Sequence, residues 1–343
     1  MTNLNQDENA YRGSHPKFAK DALAQFPVEK TLKFFQELGI CTTDRSGWIY
    51  PRSNQAQSVV DVLVMKARSL KVKLKTNQTV TGVSFADGQW KIHTDGWTYS
   101  GDAVILANGS RASSVAGSCE SGYEIAKSLG HHLIEPLPAL TALKCKGNSF
   151  SGWSGVRTEG KITLYIDGTP TVSQQGELQL TDYGVSGIPV FQISRYAIRA
   201  VHENKNVELS INFFPELNRK ELEEYLERRK AACPYKTEKE LLIGLFPEKL
   251  IRVLCAQKDL IRGITDFRLP VKNGLSFEQA QVCSGGVDTS EVHSKTMESR
   301  LHKGLYFAGE LLDIDGTCGG YNLQWAWSSG ATAGIWAAKE EEK

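Results

Sequence analysis

The chain has 343 residues, which at roughly 150 residues per domain predicts about two domains. Its 40 Lys and Arg residues nearly balance its 39 Asp and Glu residues, and the net charge of +1 excludes the strong positive field on which nucleic-acid binding usually depends. No apolar run reaches the roughly 20 residues needed to span a bilayer, and the first thirty residues are polar. The composition predicts a soluble protein whose partners include neither nucleic acid nor a membrane.

The seven cysteines are an odd number and contain no Cys-x-x-Cys pair. This usage predicts reduced thiols and a cytoplasmic location. His131 and His132 form the only histidine pair in the sequence, and adjacent side chains point apart, so no metal site is predicted.

Hydrophobic periodicity predicts three amphipathic helices near the start, at residues 16–26, 27–38 and 54–70. Pro27 suits a first helical position, and Ser53 or Asn54 is a candidate cap for the third helix. Short strands are predicted next, at 71–75, 78–85, 89–94 and 97–100, and the turn dipeptides Asp87-Gly88 and Asp95-Gly96 separate three of them. The continuous apolar run at 102–107 predicts a parallel strand that is buried on both faces.

A helix is predicted at 120–129, and the composition changes near Pro136 and Pro138. Strands at 161–167, 176–181 and 206–213, mixed with charged helices at 218–232 and 237–257, predict an inserted domain. The last segment again has the pattern of the first part of the chain. It contains a predicted strand at 304–309, a glycine-rich loop, a predicted helix at 322–338 and an acidic tail at 340–342.

Residues 305–330 carry the strongest functional signal. Glu310 follows a buried strand, where a carboxylate can accept hydrogen bonds from a polyhydroxyl chain. Gly319 and Gly320 lead into a helix whose first N–H groups favour partial negative charge, such as the N1/C2 edge of a reduced flavin. The alternative is that these glycines only turn the chain into its last helix.

This segment resembles the C-terminal flavin-binding signature of the aminoacetone-oxidase-like family of FAD-dependent oxidoreductases. Stretches at 50–53, 104–109, 181–189 and 285–297 resemble the same family, so the resemblance covers nearly the whole chain. It implies an α/β fold: a glutathione-reductase-type FAD-binding domain at 1–136 and 285–343, and an inserted mixed β/α domain at 137–284 that covers the substrate.

Family members begin with a G-x-G-x-x-G turn that places the FAD pyrophosphate on a helix N-terminus, and no such motif occurs in this sequence. Met1-Thr-Asn-Leu-Asn5 resembles the family after its cysteine-asparagine turn, so roughly fifty residues, with the first βαβ unit, are expected to be missing. For a chain that starts at Met1, we expect weakened or lost FAD binding and aggregation through exposed strand edges.

The resemblance implies cofactor-binding roles for a set of residues at two strand ends and at the start of the last helix: Ala107, Asn108, Gly109, Gly309, Glu310, Gly319, Gly320, Tyr321, Asn322 and Leu323. It also suggests Val80 for the adenine edge and Arg52 for a phosphate or flavin edge. An ordinary strand valine and a solvated arginine are the alternatives.

Several positions depart from the family pattern or have two interpretations. Asn108 and Ser110 stand where the family has threonine and glycine, and Gly117-Ser118-Cys119-Glu120 replaces a Gly-Ser-x-Gly stretch. Residues 186–189 are interpreted as a capped helix start in preference to an anion site. Cys318 is interpreted as a small buried residue.

The resulting hypothesis is an FAD-dependent oxidoreductase that moves a hydride from a small substrate to flavin, with oxygen or NAD(P) as electron partner. The resemblance suggests an amine or amino-ketone substrate. The alternative is a non-catalytic remnant or binding module of the same fold. A flavin-dependent RNA-modifying enzyme is a third hypothesis, against which the neutral charge balance argues. The catalytic residues are not identified by the sequence.

Overall fold

The structure is a computed structural model that describes residues 1–114, 118–147 and 150–339. The chain divides into two compact units: Met1–Pro136 with Val282–Lys343, and Leu137–Gln281. The second unit is therefore an insertion within the first, and it ends before the boundary predicted at residue 284. Each unit has its own buried apolar core.

The strands are short in the first unit and longer in the second. In chain order they are β1 (Thr2–Asn3), β2 (Tyr11–Arg12), β3 (Thr42–Arg45), β4 (Trp48–Pro51), β5 (Val80–Ala86), β6 (Gln89–Thr94), β7 (Thr98–Gly101), β8 (Val104–Leu106), β9 (Leu133–Ala139), β10 (Leu143–Cys145), β11 (Val156–Ile166), β12 (Thr169–Leu180), β13 (Gly184–Ser186), β14 (Val207–Asn212), β15 (Phe267–Gly274), β16 (Val282–Val287), β17 (Leu305–Phe307) and β18 (Asp315–Gly316).

The helices are α1 (Ala19–Gln25), α2 (Val28–Glu37), α3 (Ala56–Ser69), α4 (Ser121–Ser128), α5 (Ile188–His202), α6 (Arg219–Ala232), α7 (Glu238–Leu241), α8 (Glu248–Cys255), α9 (Leu260–Thr265) and α10 (Tyr321–Lys339). Short 3-10 helices lie at Glu8–Ala10, Pro16–Phe18, Phe150–Gly152, Phe277–Gln279, Thr289–Glu291 and Gly309–Leu311.

A parallel pair of strands organises the first unit. β8 pairs with β17, with Leu106 opposite Phe307. Because parallel strands end at the same edge of a sheet, the residues after Leu106 and after Phe307 lie side by side. The long apolar run predicted here forms a strand of only three residues, and Ile105 within it is 38% exposed, so the prediction of burial on both faces was wrong.

Helix α10 supplies much of the core of the first unit. Trp325 is buried on it and contacts Phe18 edge-on, with ring centroids 6.2 Å apart. Trp325 also donates its indole N–H to the Gly309 carbonyl at 2.9 Å. A buried aromatic ring and a satisfied N–H together fix the helix against the end of β17.

The second unit is a closed antiparallel barrel in the order β10-β13-β12-β11-β14-β15. Leu164 of β11 lies opposite Leu209 of β14, and both are fully buried. Closure pairs every strand on both sides, which removes the exposed edges of an open sheet. The charged helices predicted in this region lie in the same unit.

Three local predictions were wrong. Residues 71–75 alternate apolar and Lys side chains but form no strand, because a strand needs a neighbour to pair with and none of the described strands pairs with this segment. The helix predicted at 237–257 is broken into α7 and α8, since Gly244 has φ +88° and Pro247 follows it. Helix α3 begins after Gln55 without a capping side chain, so neither Ser53 nor Asn54 caps it.

The turn predicted at Asp87-Gly88 agrees with the structure, whereas the position of Pro27 differs by one residue. Asp87 and Gly88 adopt φ +54° and +75° in the turn between β5 and β6. All seven cysteines are free. Pro27 immediately precedes α2 instead of occupying its first helical position. None of the helices in the described part of the chain is long and apolar enough to cross a membrane.

Candidate functional site

The edge where β8 and β17 end carries an open backbone and a carboxylate. Ala107 and Asn108 are exposed, and Gly109 has φ +72° with no atom of the described residues within 4 Å of the position that a Cβ would take. Across the edge, Glu310 is half-buried, and its Oε1 accepts the Cys283 backbone N–H at 2.7 Å. The strand ends therefore bring together residues that are two hundred positions apart in the sequence.

Ser110, Tyr123 and Cys283 surround this carboxylate, and we call these three residues with Glu310 the Glu310 cluster. Burial raises the pKa of Glu310, hydrogen bonds from Cys283 and Ser110 lower it, and the Asp315 charge raises it. Burial likewise raises the pKa of Cys283 to about 11 and the pKa of Tyr123 above its usual value. The cluster therefore holds groups that keep their protons more readily than in water.

Tyr123 has an unusual environment within the Glu310 cluster. Its buried hydroxyl makes no hydrogen bond of good geometry with the described residues, although the Ser110 hydroxyl lies close enough to lower its pKa. A buried hydroxyl without a partner is costly, and such groups concentrate at functional sites. Sequence reasoning missed Tyr123 and Cys283. It noticed Ser110 only as a departure from glycine.

The start of α10 is shaped by packing within the protein. A Cβ on Gly319 would lie 2.9 Å from the Trp48 ring, and a Cβ on Gly320 would lie 2.6 Å from the Thr2 carbonyl oxygen. Both residues also have positive φ, at +110° and +96°. These contacts explain the two glycines without a ligand, in agreement with the alternative interpretation that they turn the chain into the helix.

The side chains that follow these glycines are mostly engaged with the protein itself. Asn322 accepts the Gly316 N–H at 2.7 Å and donates to the Gly316 carbonyl at 2.9 Å. Tyr321 donates its hydroxyl to the Asn5 carbonyl, and Leu323 is 46% exposed. The Asn322 amide therefore holds its own loop, and its role toward a cofactor stays a prediction.

Val80 and Arg52 lie in other parts of the first unit. Val80 is half-buried opposite Thr94, where it packs against the core that contains Trp325, and Arg52 is exposed after β4. Cys318 is buried, as its interpretation as a small buried residue requires. The cofactor roles of Val80 and Arg52 stay predictions.

Helix α5 starts where the sequence predicted a helix start. It begins after its N-cap residue Gly187, which has φ +104°, and Pro189 lies in its first turn, but no side-chain hydrogen bond caps it. A Cβ on Gly187 would lie 2.6 Å from the Glu177 carbonyl oxygen, which is why glycine is required there. Gly117, the first residue of the stretch that differs from the family's Gly-Ser-x-Gly pattern, lies outside the described residues.

His131 and His132 both contact Glu291 rather than pointing apart. His131 Nδ1 is 3.1 Å from Glu291 Oε2, and His132 Nδ1 is 2.5 Å from Glu291 Oε1. In the described ranges, no group of three or more His, Cys, Asp or Glu residues has an arrangement that could hold a metal ion. The pair belongs to a structural hydrogen-bond network.

Comparison with known proteins identifies the family. The model of the HI0933-like protein Rossmann domain matches residues 1–336. A 3-dehydro-bile acid delta(4,6)-reductase of Clostridium scindens is 42% identical, with 99% of this chain and 87% of the relative covered. Ribosomal RNA dihydrouridine synthases of Escherichia coli and Haemophilus influenzae are each 29% identical, covering 99% and 96% of this chain and 86% and 84% of the relatives.

These matches confirm the family resemblance and the Rossmann-type α/β fold predicted from the sequence. They do not test the individual site residues, which remain predictions. The chain belongs to the HI0933-like Rossmann-domain family of FAD-dependent oxidoreductases.

Proposed function

We propose that this oxidoreductase uses flavin to reduce a carbon–carbon double bond that is conjugated with a carbonyl group. The observation that carries the proposal is the 42% identity to a reductase over nearly the whole chain. A 3-dehydro compound with Δ4,6 unsaturation is a ketone conjugated with double bonds. Dihydrouridine is uridine with one carbonyl-conjugated double bond saturated. The names of both kinds of relative therefore describe the same chemical change.

This direction is opposite to the one suggested by the sequence resemblance, in which an amine or amino-ketone gives a hydride to flavin. In the proposed reaction, NAD(P)H is the electron source and is oxidised to NAD(P)⁺, while a hydride and a proton add across the double bond. The double bond is lost and two C–H bonds form. An amine substrate and oxygen as acceptor stay predictions, as does the cytoplasmic location inferred from the reduced cysteines.

The edge of β8 and β17 has features that suit FAD. Bound FAD would supply the hydride chemistry. Gly109 leaves space for a ligand to approach its backbone, and Glu310 presents a carboxylate beside it. The first turn of α10 contributes N–H groups and the positive end of a 19-residue helix. We propose that Gly109 and Glu310 hold the ribityl or ribose part and that α10 begins beside the flavin pyrimidine edge.

Glu310→Gln is expected to weaken FAD binding about 10- to 100-fold, since a hydrogen bond to a charged group contributes about 1.5–3 kcal/mol. The binding is measured by titrating FAD into the stripped full chain and following flavin fluorescence. Glu298→Gln is the matched control, because Glu298 also accepts a backbone N–H, from Gly304 at 2.8 Å, away from this edge. Equal FAD affinity in both variants would contradict the role of Glu310.

A second candidate is the reduction of uridine in RNA, which the two relatives at 29% identity favour. The net charge of +1 gives no general attraction to phosphates, and so it argues for the small-molecule reaction. The two candidates share their redox chemistry and differ in the size and charge of the substrate.

The full chain purified without added cofactor tests the proposal. Absorption bands at about 370 and 450 nm would show bound flavin. Anaerobic NAD(P)H should bleach them, and a neutral steroid with a 4-en-3-one group should restore them while its own enone band disappears. Reoxidation by a uridine-containing ribosomal RNA transcript alone would support the second candidate. Protein without flavin bands, even after incubation with FAD, would favour the non-catalytic remnant and overturn the proposal.

A further inference from the structure

The first unit contains a cavity of about 340 Å³ that none of the site predictions includes. Its floor is formed by buried Tyr11, Val28 and Gln324, and part of its wall by Leu4 and Leu23. Ligand cavities typically measure about 300–1,000 Å³, with mostly apolar walls and a few polar groups. The cavity therefore has the size and lining of a small-molecule site.

The floor of this cavity adjoins the start of α10. Gln324 belongs to the first turn of that helix, where its N–H donates to the Gly320 carbonyl at 3.0 Å. The Tyr11 ring contacts the Tyr321 ring edge-on, with centroids 6.0 Å apart. A molecule in the cavity would lie beside the helix start that we assign to the flavin pyrimidine edge.

Tyr11 is the floor group that can change its hydrogen-bond partner. Its hydroxyl contacts the side-chain oxygen of exposed Gln6 at 3.0 Å and the Tyr321 carbonyl at 3.3 Å. Burial raises the pKa of Tyr11, and the phenol stays protonated at neutral pH. In contrast, the Gln324 amide is fully used, by Thr2, Thr31, Phe26 and Ser328. Exposed Gln6 is also held by its amide, which donates to the Asn3 carbonyl at 2.8 Å, so a ligand carbonyl would replace only its oxygen as the acceptor of the Tyr11 hydrogen bond.

The rim of the cavity is negatively charged. Asp7, Glu8 and Glu29 line it together with a single cation, Lys20, which is 3.0 Å from Glu8. Among the described residues that line the rim, Asp7 and Glu29 therefore have no cationic partner. This charge disfavours a carboxylate or phosphate group inside the cavity. Apolar walls and an acidic rim together favour an uncharged, apolar group there, so the acid group of a molecule such as a bile acid would stay outside the cavity.

We propose that this cavity is the substrate site and that it binds a neutral apolar ketone conjugated with a double bond, with the ketone oxygen accepting a hydrogen bond from Tyr11. This inference rests on the proposed function and adds the place and the substrate class to it. A hydrogen bond to the ketone draws electron density from the conjugated double bond, which favours hydride addition at its far carbon. Tyr11 binds and polarises the substrate and keeps its own proton.

The test uses the purified full chain and testosterone, a neutral 4-en-3-one steroid, as the probe. We expect saturable binding and a red shift of the enone absorption band, because the ketone accepts a hydrogen bond. Tyr11→Phe should abolish the shift and weaken binding about tenfold, which corresponds to about 1.4 kcal/mol. Binding with the same red shift in Tyr11→Phe would overturn the role of Tyr11.

Filling the cavity tests its location. Ala24 is exposed and lines the cavity, so Ala24→Phe should weaken testosterone binding at least about tenfold without disturbing the core. Ala338→Phe places the same side chain at an exposed position of α10 outside the cavity and should leave binding unchanged. Leu4→Trp provides a second filling variant. Unchanged affinity in both filling variants would overturn the proposal.

The charge argument has its own measurement. A carboxylate-bearing 4-en-3-one steroid should bind more weakly than testosterone, and Glu29→Gln should reduce the difference. Equal affinity of the two steroids, or displacement of testosterone by polyuridylate, would contradict a site for neutral ligands. Enone reduction with an unchanged KM in Ala24→Phe would refute the cavity and leave the proposed function standing. If the variants weaken steroid binding but the protein never reduces the steroid, the cavity is supported and the proposed function is refuted.

Discussion

Gly320→Ala is expected to destabilise the first unit by about 3 kcal/mol or more. A left-handed backbone costs a non-glycine residue about 1–2 kcal/mol, and the new Cβ would lie 2.6 Å from the Thr2 carbonyl oxygen, which must then move. Thr2 lies in β1 and donates its hydroxyl to Gln324, so this movement would also disturb a buried hydrogen bond. Urea unfolding followed by circular dichroism measures the loss.

Gly39→Ala separates the two causes. Gly39 has φ +88°, close to that of Gly320, but no atom of the described residues lies within 4 Å of its Cβ position. This control variant should therefore lose only the conformational cost of about 1–2 kcal/mol. Equal losses in the two variants would show that the contact with Thr2 contributes nothing.

Acid is expected to destabilise the first unit through His131. The His131 side chain is fully buried, with Nδ1 facing Glu291 and Nε2 2.9 Å from the Ser299 hydroxyl. Ser299 Oγ accepts the N–H groups of Leu301 and His302, and so it donates its own proton to His131 Nε2. Nδ1 must then carry the imidazole proton, which it donates to Glu291. The network therefore requires a neutral histidine.

The direction of the pH effect follows from this arrangement. Burial lowers the pKa of His131 below 6.5, and this effect exceeds the opposite effect of Glu291. Below pH 6.5 the unfolded chain therefore binds a proton that the folded chain does not, and stability falls until the pH reaches the lower, folded pKa. Nearby His302 and His132 further disfavour a charge on His131.

His132 has the opposite effect, because its contact with Glu291 raises its pKa above 6.5. Its contribution is complete below pH 6.5 and is lost as the pH rises through the folded pKa. The pKa of Glu291 is lowered: burial raises it, but the hydrogen bonds from His132 lower it by more. The contribution of Glu291 to stability is therefore lost only as the pH falls below 4.5. In the His132→Asn variant, His131 is therefore the only one of these three groups whose titration changes the stability between pH 6.5 and pH 4.5.

We expect the free energy of unfolding of His132→Asn to decrease as the pH is lowered from about 7 to 5.5. The double variant His131→Gln, His132→Asn should lose this slope, since glutamine can donate and accept a hydrogen bond without titrating. Urea unfolding at a series of pH values gives both slopes. A slope that persists in the double variant would assign the acid sensitivity to another group.

Removing Glu291 tests the same network at a fixed pH. Glu291→Ala leaves buried His131 with an unsatisfied N–H and should cost about 1–3 kcal/mol at pH 7. Glu298→Ala removes a carboxylate that also accepts a backbone N–H, from Gly304, but contacts no buried imidazole. A loss in Glu291→Ala no larger than in this control would contradict the network.

The predicted helices show what periodicity decides. Helix α10 was predicted at 322–338 and spans Tyr321–Lys339, because apolar and small residues recur along it and glycines precede it. The run at 237–257 has similar periodicity, but Gly244 and Pro247 interrupt it. Periodicity reports which face of a segment is apolar, whereas its continuity depends on backbone constraints at single residues.

Some residues of the candidate site could be predicted from the sequence, and others could not. Glu310 was found from the sequence because it follows a short apolar strand, and the structure places it at the edge where β8 and β17 end. Tyr123 and Cys283 gave no such signal, since each is an ordinary residue in its own helix or strand. Their common environment arises only when distant segments pack around one carboxylate.

The amino-acid sequence by itself determined the family and the Rossmann-type class, because these depend on local motifs and on hydrophobic periodicity. Tertiary structure alone decided that Gly320 faces Thr2, that burial lowers the pKa of His131 and that Tyr11 forms the floor of a cavity. Each of these facts joins residues that are far apart along the chain. Their distances are set by packing, and no local pattern in the sequence encodes them.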